Sequence, residues 1–394
     1  MEQLVTRASS RDRTVKDGRQ LNLFGNAPLA EDPEYLTRQL ITYIGNKRAL
    51  LGHIGKAVEK VKTRLGKERL RIFDAFSGSG VVSRFMKAHA TYVASNDIEE
   101  YAAVVARCYL QNRSSLDLAA ISRVVAELNQ RVDTEPLPTG FIEHLYSPRD
   151  EDQITKDDRV FYTKGNARRL DNYRRLLSSI PPELRDSLLG PLLSKASIHA
   201  NTAGVFKGFY KNRETQIGQF GGSGSDALIR IKGKITLEPP VLSAFECEHE
   251  VHQDDANVVA RRIKDLDLAY VDPPYNQHPY GSNYFMLNLL VKYEPPSEVS
   301  RVSGIPTDWR RSGYNVRSKS LPLLRELLAA IDAPFLLVSF SNEGFISPEE
   351  MRSTLNALGT VEVVEMQYNA FRGSRNFNNR SIHVTEQLFL VERS

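Results

Sequence analysis

The stretch FDAFSGSGVVSRFM, residues 73–86, runs from an apolar, strand-like segment through a glycine turn into a helical pattern. A turn of this kind brings the main chain close to a ligand at the start of a helix. Ser83 stands where the dinucleotide-binding pattern GxGxxG requires its third glycine, so the full pattern is absent. Two interpretations stay open: a cofactor turn, or a strand-to-helix turn that uses glycine only for its geometry.

Short apolar runs typical of buried strands lie on both sides of this turn. Helical patterns separate several of them, for example at 97–112 and 320–331. Strands that alternate with helices indicate a mostly parallel sheet with helices on both faces, which is an α/β fold. The predicted strands are residues 71–76, 91–95, 266–271, 333–341, 361–368 and 386–392.

The middle of the chain has a different pattern, which is typical of an insertion into such a sheet. Its long helical stretches are residues 116–131, 165–178 and 183–198. We predict that residues 36–112 and 246–394 form the sheet domain, and that 113–245 form a mostly helical insertion. Residues 1–35 are polar and predict a loosely docked arm.

The composition is that of an ordinary globular protein, with 394 residues, 41% hydrophobic and 25% charged. A net charge of +4 permits a nucleic-acid partner. No apolar run approaches the roughly 18 residues of a membrane span, and the polar N-terminus lacks a signal-peptide core, so we expect a cytoplasmic protein without a membrane partner. Two cysteines, and eight histidines without paired spacing, predict no metal site.

Acidic residues flank the glycine turn on two strands. The strand after the turn ends in ASND, which places Asp97 17 positions after Gly80. This is close to the roughly 20-residue offset at which an acid binds ribose hydroxyls, and Ile98 can contact an adenine face. Asp74, before the turn, would repel a pyrophosphate but attract an ammonium or sulfonium group. These residues predict an adenosine-containing cofactor and favour S-adenosylmethionine over NAD.

The stretch LAYVDPPYNQHPY, residues 268–280, places a carboxylate, two prolines and a tyrosine at the end of a predicted strand. Strand ends on one side of a parallel sheet converge on the cofactor crevice. An exocyclic base amine is a weak nucleophile, because its lone pair is delocalised into the ring. Asp272 and the Pro273 carbonyl can accept both hydrogens of such an amine and so make its lone pair available. The following proline keeps Pro273 extended, and Tyr275 can stack on the base. The structural alternative is a proline-rich strand exit with a surface tyrosine.

DPPY after an apolar strand, together with DAFSGSG, resembles the amino-group DNA methyltransferases that act on adenine N6. The motif order resembles their alpha group, which includes Dam-type and restriction-modification enzymes, because TYIGNKRALLGHI precedes the glycine turn and DPPY follows the insertion. The resemblance implies a Rossmann-like class I methyltransferase sheet with an inserted target-recognition region. It also implies site-specific methylation of a flipped-out adenine in double-stranded DNA, with S-adenosylmethionine as donor. Further expectations are a working monomer and a cognate restriction endonuclease outside any stable complex.

The resemblance also implies roles for individual positions. The residues that would cover the methionine end of the cofactor are Tyr43, Gly45 and Lys47. The residues that match the glycine-turn motif are Asp74, Phe76, Gly78 and Gly80. Asp97 matches the ribose-binding acid, and Asp255, or its neighbour Asp254, matches the aspartate near the cofactor adenine. The residues of the catalytic motif are Asp272, Pro273, Pro274 and Tyr275.

Basic residues interleaved with aromatic ones occur in three segments, 205–213, 301–320 and 371–380. Each segment alone is more often a solvated loop, but three of them around a base-modifying motif favour contacts with DNA. We expect the insertion to read bases and the C-terminal arginines to hold the phosphate backbone. The candidate DNA-binding residues are Lys207, Lys211, Arg213, Tyr280, Asn283, Tyr284, Arg372, Arg375 and Arg380.

Three other functions remain open from the sequence alone. Methylation of adenine in RNA would use the same chemistry. An inactive DNA-binding relative would keep the fold, although the intact Asp272 and Asp97 argue against it. A nicotinamide-dependent oxidoreductase would explain the glycine turn but not DPPY. His278 is expected to be a loop residue rather than a base, because the proton of a methylated amine can leave to solvent.

Overall fold

Seven strands form one mixed sheet in the computed structural model, which describes residues 31–222, 226–341, 344–369 and 383–394. The strands are β1 Leu70–Asp74, β2 Ala90–Asn96, β3 Glu248–His252, β4 Leu268–Val271, β5 Phe335–Ser341, β6 Gly359–Asn369 and β7 His383–Arg393. Their order in the sheet is β3-β2-β1-β4-β5-β7-β6. Strands β1 to β5 pair in parallel, whereas β7 runs antiparallel to β5 and β6. The predicted α/β fold is confirmed.

Six strands lie where the apolar runs predict them, but the sequence pattern does not predict β3. Its residues, EHEVH, are mostly polar and only partly buried, because β3 forms the edge of the sheet beside β2. An edge strand without an apolar run cannot be told from a loop by its hydrophobic pattern. The pairing of Tyr92 with Glu248 shows that the sheet resumes soon after the predicted insertion.

Helices cover both faces of the sheet. Within the described ranges they are α1 Pro33–Thr37, α2 Leu51–Leu65, α3 Val81–Met86, α4 Glu100–Tyr109, α5 Leu118–Thr134, α6 Phe141–Tyr146, α7 Lys164–Leu177, α8 Pro182–Ile198, α9 Asp226–Lys232, α10 Ala256–Arg262, α11 Tyr280–Asn283, α12 Phe285–Lys292, α13 Arg317–Ala330 and α14 Pro348–Asn356. In α2, Leu51, Ile54, Val58 and Val61 are buried, since spacings of three and four residues place them on one face. None of these helices is long and apolar enough to cross a bilayer.

The central strands bury side chains on both faces, as expected for a parallel sheet between helical layers. Along β4, Leu268 and Tyr270 belong to one apolar core, whereas Ala269 and Val271 belong to the other. This alternation follows from the two-residue period of a strand. Asp272 follows β4 at the point where the chain leaves both cores.

The helices of the predicted insertion share a core with the sheet. Leu188 and Leu192 of α8 belong to the same apolar cluster as Leu268 of β4. Helix α8 packs on α4, and Gly190 permits the close approach, since a Cβ there would lie 2.7 Å from the Cys108 side chain. The limits of the insertion, 113–245, stay a prediction, but its helical body is anchored to the sheet.

Candidate active site

A cavity opens where the glycine turn meets the segment after β4. Its empty volume, including the open mouth, is about 850 Å³. The predicted residues that line it are Tyr43, Gly45, Lys47, Phe76, Gly78, Asp97, Ile98, Asp254, Asp255, Asp272, Pro274 and Tyr280. Asp74, Gly80, Pro273 and Tyr275 are near these residues in sequence but do not line the cavity.

The glycine turn is held by the end of the neighbouring strand, β2. Ser77 N donates to Asn96 O at 2.8 Å, and Gly78 N donates to Asp97 Oδ2 at 2.7 Å. Gly78 has a φ of +50°, and a Cβ there would lie 2.9 Å from the Tyr43 hydroxyl. Both the backbone conformation and the close approach therefore require glycine at this position.

Asp97 is a buried carboxylate with two main-chain donors. Glu99 N donates to its Oδ1 at 2.9 Å, while Gly78 N donates to its Oδ2. Burial raises the pKa of Asp97 to about 6, although these amide bonds lower it. The group is ionised above that pH and keeps lone pairs for further donors, which suits a ligand that carries hydroxyl groups.

Asp74 ends β1 directly before the turn and is fully buried. Ser83 Oγ donates to its Oδ2 at 2.5 Å and lies 3.0 Å from Ser95 Oγ. Burial raises the pKa of Asp74 to about 7. Its other oxygen, Oδ1, has no hydrogen-bond partner within the described part of the chain. Ser83, which breaks the glycine pattern, thus has a polar role that glycine could not fill.

Stacked tyrosines join the N-terminal motif to the segment after DPPY. The Tyr43 ring stacks on Tyr280 and Tyr284, with ring centroids 5.1 and 4.8 Å apart. Ile44 N donates to the Tyr284 hydroxyl at 2.8 Å, and the Tyr280 hydroxyl donates to Ile44 O at 3.3 Å. Burial raises the pKa of all three hydroxyls, so they stay neutral at physiological pH. Tyr43 and Tyr280 form part of the cavity wall.

Two of the predicted DNA contacts are buried in this arrangement. Tyr284 is fully buried in the stack, and Asn283 is 3% exposed. The Asn283 carbonyl accepts from Phe206 N at 2.7 Å, which ties the insertion to the segment after DPPY. The structure argues against direct DNA contact for Asn283 and Tyr284, because their side chains are covered by protein.

Lys47 lies between two carboxylates at the cavity wall. Its Nζ is 3.2 Å from Asp272 Oδ1 and 2.5 Å from Glu386 Oε1. Glu386, on β7, is fully buried, and Ser339 Oγ donates to the same oxygen at 2.6 Å. Burial lowers the pKa of Lys47, but Asp272 and Glu386 raise it well above its ordinary value, so the lysine is a permanent cation. The sequence alone assigns no role to Glu386.

The DPPY segment is fixed by the neighbouring loop and strand. Phe345 N donates to Tyr275 O at 2.8 Å, and the Tyr275 ring meets Phe340 edge-on with centroids 5.9 Å apart. The Asp272 side chain faces the cavity and is 16% exposed. Burial raises the pKa of Asp272 above its ordinary range, while the Lys47 ammonium lowers it. Asp272 is thus an acceptor that a ligand can reach.

One wall of the cavity comes from a segment that the sequence pattern assigned to DNA. Its lining residues are Arg310, Ser312, Tyr314 and Asn315. The Tyr314 hydroxyl donates to Asn257 Oδ1 at 2.7 Å, and its ring meets Phe76 edge-on. Glu99 also lines the cavity, and burial raises its pKa to about 8. No local motif marks these residues, because only long-range packing brings them to the site.

Both acids of the sequence HQDDAN line the cavity, so the choice between them stays open. Asp255 caps α10 by accepting from Asn257 N at 2.8 Å. Asp254 forms an ion pair with Arg262 at 3.3 Å. Each carboxylate therefore has a structural partner in addition to any ligand.

The insertion presents a short antiparallel turn next to its link with α11. A β-bridge pairs Lys211 with Gly218, and the Lys211 ammonium lies 5.2 Å from the centre of the Phe209 ring. Arg213, in the turn, is exposed, and so is Lys207. These positions are accessible to a nucleic acid. The other predicted contacts, Arg372, Arg375 and Arg380, lie outside the described residues.

Comparison with known proteins agrees with this geometry. A model of the D12 class N6 adenine-specific DNA methyltransferases matches residues 43–354, which is most of the chain. The type II methyltransferase M.NlaIII of Neisseria lactamica is 27% identical over 362 residues, which cover 90% of this chain and 100% of that protein.

Two further relatives extend the comparison. The type II methyltransferase M.CviAII of Paramecium bursaria Chlorella virus 1 is 25% identical over 359 residues, or 89% of this chain and 98% of that protein. The modification methylase StsI of Streptococcus sanguinis is 27% identical over 369 residues, or 89% of this chain. The match covers only 52% of StsI, so this chain spans about half the length of that relative.

Proposed function

The chain belongs to the D12 class N6 adenine-specific DNA methyltransferase family, and we propose from this membership that it methylates adenine N6 at a specific sequence in duplex DNA. The donor is S-adenosylmethionine, and the target adenine is flipped out of the helix, because N6 is otherwise hidden in the base stack. One observation carries the proposal. The carboxylates of Asp97 and Asp272, which chemistry assigns to cofactor and base respectively, line the same cavity.

The cavity fits S-adenosylmethionine in charge and polarity. Asp97 offers a carboxylate to ribose hydroxyls, and Phe76 and Ile98 offer apolar surface to the adenine. Asp74 lies behind the wall, and when it is ionised its carboxylate favours a cationic ligand. When bound, the cofactor supplies an electrophilic methyl carbon on a sulfonium sulfur.

The residues at the end of β4 prepare the target amine. Asp272 accepts one N6 hydrogen and the Pro273 carbonyl accepts the other, which draws the nitrogen toward tetrahedral geometry and frees its lone pair. Lys47, 3.2 Å from Asp272 Oδ1, holds that carboxylate in place. Tyr275 stacks on the flipped base. The proton of the methylated amine leaves to solvent, so no further base is needed.

We place this reaction in a restriction-modification system in the cytoplasm, where the enzyme meets the DNA it marks. The relatives named above are type II methyltransferases or modification methylases, which supports that setting. A cognate restriction endonuclease would read the same sequence without forming a stable complex. The methyltransferase would act as a monomer, because one chain supplies both Asp97 and Asp272.

Purified protein tests the reaction directly. Duplex DNA and structured RNA are incubated in parallel with S-adenosylmethionine carrying a labelled methyl group, and the digested nucleosides are separated. We expect label in N6-methyladenosine from the DNA alone. Label confined to RNA, or to cytosine, would refute the proposed substrate.

The rate of methyl transfer should fall as the pH decreases, at a pH clearly above the ordinary aspartate pKa of about 3.9. Burial raises the pKa of Asp272, and the ionised carboxylate accepts the amine hydrogen more strongly than the neutral acid does. Protonation on acidification therefore weakens the acceptor. Single-turnover rates across about pH 5 to 9 check this, with thermal unfolding followed over the same range as control. A rate that stays flat to about pH 5 would contradict it.

Substitutions in the insertion should change which sites are methylated. Alanine at Lys207, Lys211 or Arg213 should, in at least one case, relax specificity at one base pair, because a lost base contact costs about 1–3 kcal/mol. Arg375→Ala, at a predicted phosphate contact, should instead weaken cognate and non-cognate DNA alike. For this variant, the slope of the logarithm of the DNA-binding constant against the logarithm of the salt concentration should become shallower by about 0.9. Binding titrations and site mapping by sequencing distinguish the two outcomes.

The assignment of base reading to the insertion and of phosphate binding to Arg375 can be wrong even if the proposed reaction is right. If Arg375→Ala changed the methylated sequence while all three insertion variants kept it, the two roles would have to be exchanged. The methylation assay would be unaffected by that exchange, because it measures the modified base rather than its context.

A further inference from the structure

Three distant parts of the chain place charges at one point beside the cavity. Lys47 precedes α2, Asp272 follows β4 and Glu386 lies on β7. The Lys47 ammonium contacts both carboxylates, at 3.2 Å from Asp272 Oδ1 and 2.5 Å from Glu386 Oε1. Glu386 is fully buried and is not among the described residues that line the cavity.

Burying this glutamate needs an explanation beyond stability. Two carboxylates contact the same Lys47 ammonium. Buried ion pairs often contribute little net stability, because desolvation offsets the attraction. A glutamine would present the same oxygen to Lys47 and to the Ser339 hydroxyl without the charge. The negative charge at Glu386 is therefore the feature that packing alone does not account for.

The charge of Glu386 acts on Asp272 through Lys47. An ammonium paired with one carboxylate alone would direct its full charge at that group and draw electron density from it. A second carboxylate on the other side shares that attraction. Asp272 then stays oriented by Lys47 but remains a strong acceptor for hydrogens of another molecule.

We propose that Glu386 is a positioning residue for methyl transfer, which acts through Lys47 to keep the Asp272 carboxylate oriented and strongly accepting toward the target amine. The inference rests on the proposed function, since it assumes that Asp272 receives an amine hydrogen. It adds a residue from β7 to the machinery, more than 100 positions from DPPY in sequence.

Other ionisable groups also face Asp272 and bear on its titration. From the described residues these are the Asp74 carboxyl of β1, the Tyr270 hydroxyl of β4 and the Tyr280 hydroxyl of α11. The tyrosines stay neutral at physiological pH, and Asp74 is held by Ser83. All three are unchanged by substitution at Glu386, so a shift in the pH profile of that variant reports the missing charge.

The test is Glu386→Gln in the full-length protein, measured in single turnover with cofactor and DNA saturating. We expect the rate at neutral pH to fall about tenfold, because Lys47 then weakens Asp272 as an acceptor. The acid limb of the rate profile should move to lower pH by about one unit, because a negative charge that raised the pKa of Asp272 is gone. Affinity for cofactor and DNA should stay within about twofold, since Glu386 is not among the described residues that line the cavity.

Two comparison variants separate this role from simple packing. Glu143→Gln also removes a buried carboxylate from an ion pair, with Arg168 at 2.6 Å, but away from the cavity. It should leave the rate and the acid limb as in wild type. Glu386→Asp keeps the charge on a shorter side chain, so its acid limb should stay at the wild-type pH even if its rate falls.

Distinct results would overturn the inference. If Glu386→Gln reacts at the wild-type rate, Glu386 is not a positioning residue. The same conclusion follows if the variant is slower but the low-pH side of its rate profile stays at the wild-type pH. An acid limb displaced equally in Glu386→Gln and Glu386→Asp would assign the effect to packing. Methylation by the wild-type protein is measured before any variant is compared. If the wild-type protein does not methylate adenine, the proposed function itself is wrong.

Discussion

Asp272→Ala should slow methyl transfer by about 10²- to 10³-fold while the affinity for S-adenosylmethionine stays within a few-fold of wild type. Asp272 is proposed to hold the target amine, so its interaction is strongest in the transition state and adds little to cofactor binding. The fold should tolerate the change, because Lys47 keeps Glu386 as its charged partner. Single-turnover kinetics and calorimetry measure the two quantities separately.

Asp272→Asn is the matched variant for this prediction. The amide keeps one carbonyl oxygen of similar reach but loses the charge, so its rate should lie between those of wild type and alanine. An alanine variant within threefold of the wild-type rate would remove Asp272 from the reaction. An alanine variant that also failed to bind the cofactor would place Asp272 in the cofactor site instead.

Asp97→Ala should weaken S-adenosylmethionine binding by about 10- to 100-fold and slow the saturated reaction much less. Hydrogen bonds to a charged group contribute about 1.5–3 kcal/mol, and contacts to ribose are the same in the ground and transition states. The structure adds a second cause. Asp97 accepts from Gly78 N and Glu99 N, so alanine also releases the glycine turn that faces the cofactor.

Asp97→Asn keeps an oxygen for one of those amides and should lose less affinity than alanine. Calorimetry with S-adenosylmethionine gives the dissociation constants, and the single-turnover rate at saturation gives the chemical step. Unchanged affinity in Asp97→Ala would contradict the cofactor assignment. A large loss of rate at saturation, with affinity kept, would place Asp97 in the chemical step.

The fold and the centre of the site follow from local patterns in the sequence. Apolar runs of strand length identify six of the seven strands of the described sheet. Four of these are parallel strands, which need continuous apolar residues because both of their faces are buried. The placement of Asp97 and Asp272 at one cavity follows from topology, since they come just after the carboxyl ends of β2 and β4, the two parallel strands on either side of β1. The edge strand β3 is missed because its polar sequence resembles a loop.

Other features depend on contacts that no local pattern encodes. Glu386 lies within an apolar strand sequence, and only the antiparallel pairing of β7 with β5 brings it beside Ser339 and Lys47. Arg310 and Tyr314 occur in a basic, aromatic segment that suggested a DNA contact, yet packing places them in the cavity wall. Long-range packing of this kind cannot be derived from periodicity.

The candidate DNA contacts show the same limit. Asn283 and Tyr284 follow the catalytic motif and have side chains that suit a nucleic acid, but both are buried. The stack of tyrosines that covers Tyr284 needs Tyr43, whose role in it could not be inferred from its own neighbours. For Lys207, Lys211 and Arg213 the base-reading role stays a prediction.

Single-molecule sequencing of DNA from cells that express the protein tests the central claim most directly, because it reports the modified base and its sequence context together. The host should lack adenine methylation of its own, and cells that express Asp272→Ala serve as the control. We predict N6-methyladenine at one short sequence throughout the DNA with the wild-type protein, and a much lower fraction of that sequence methylated with the variant. DNA without N6-methyladenine in wild-type cells that contain the folded protein would contradict the claim.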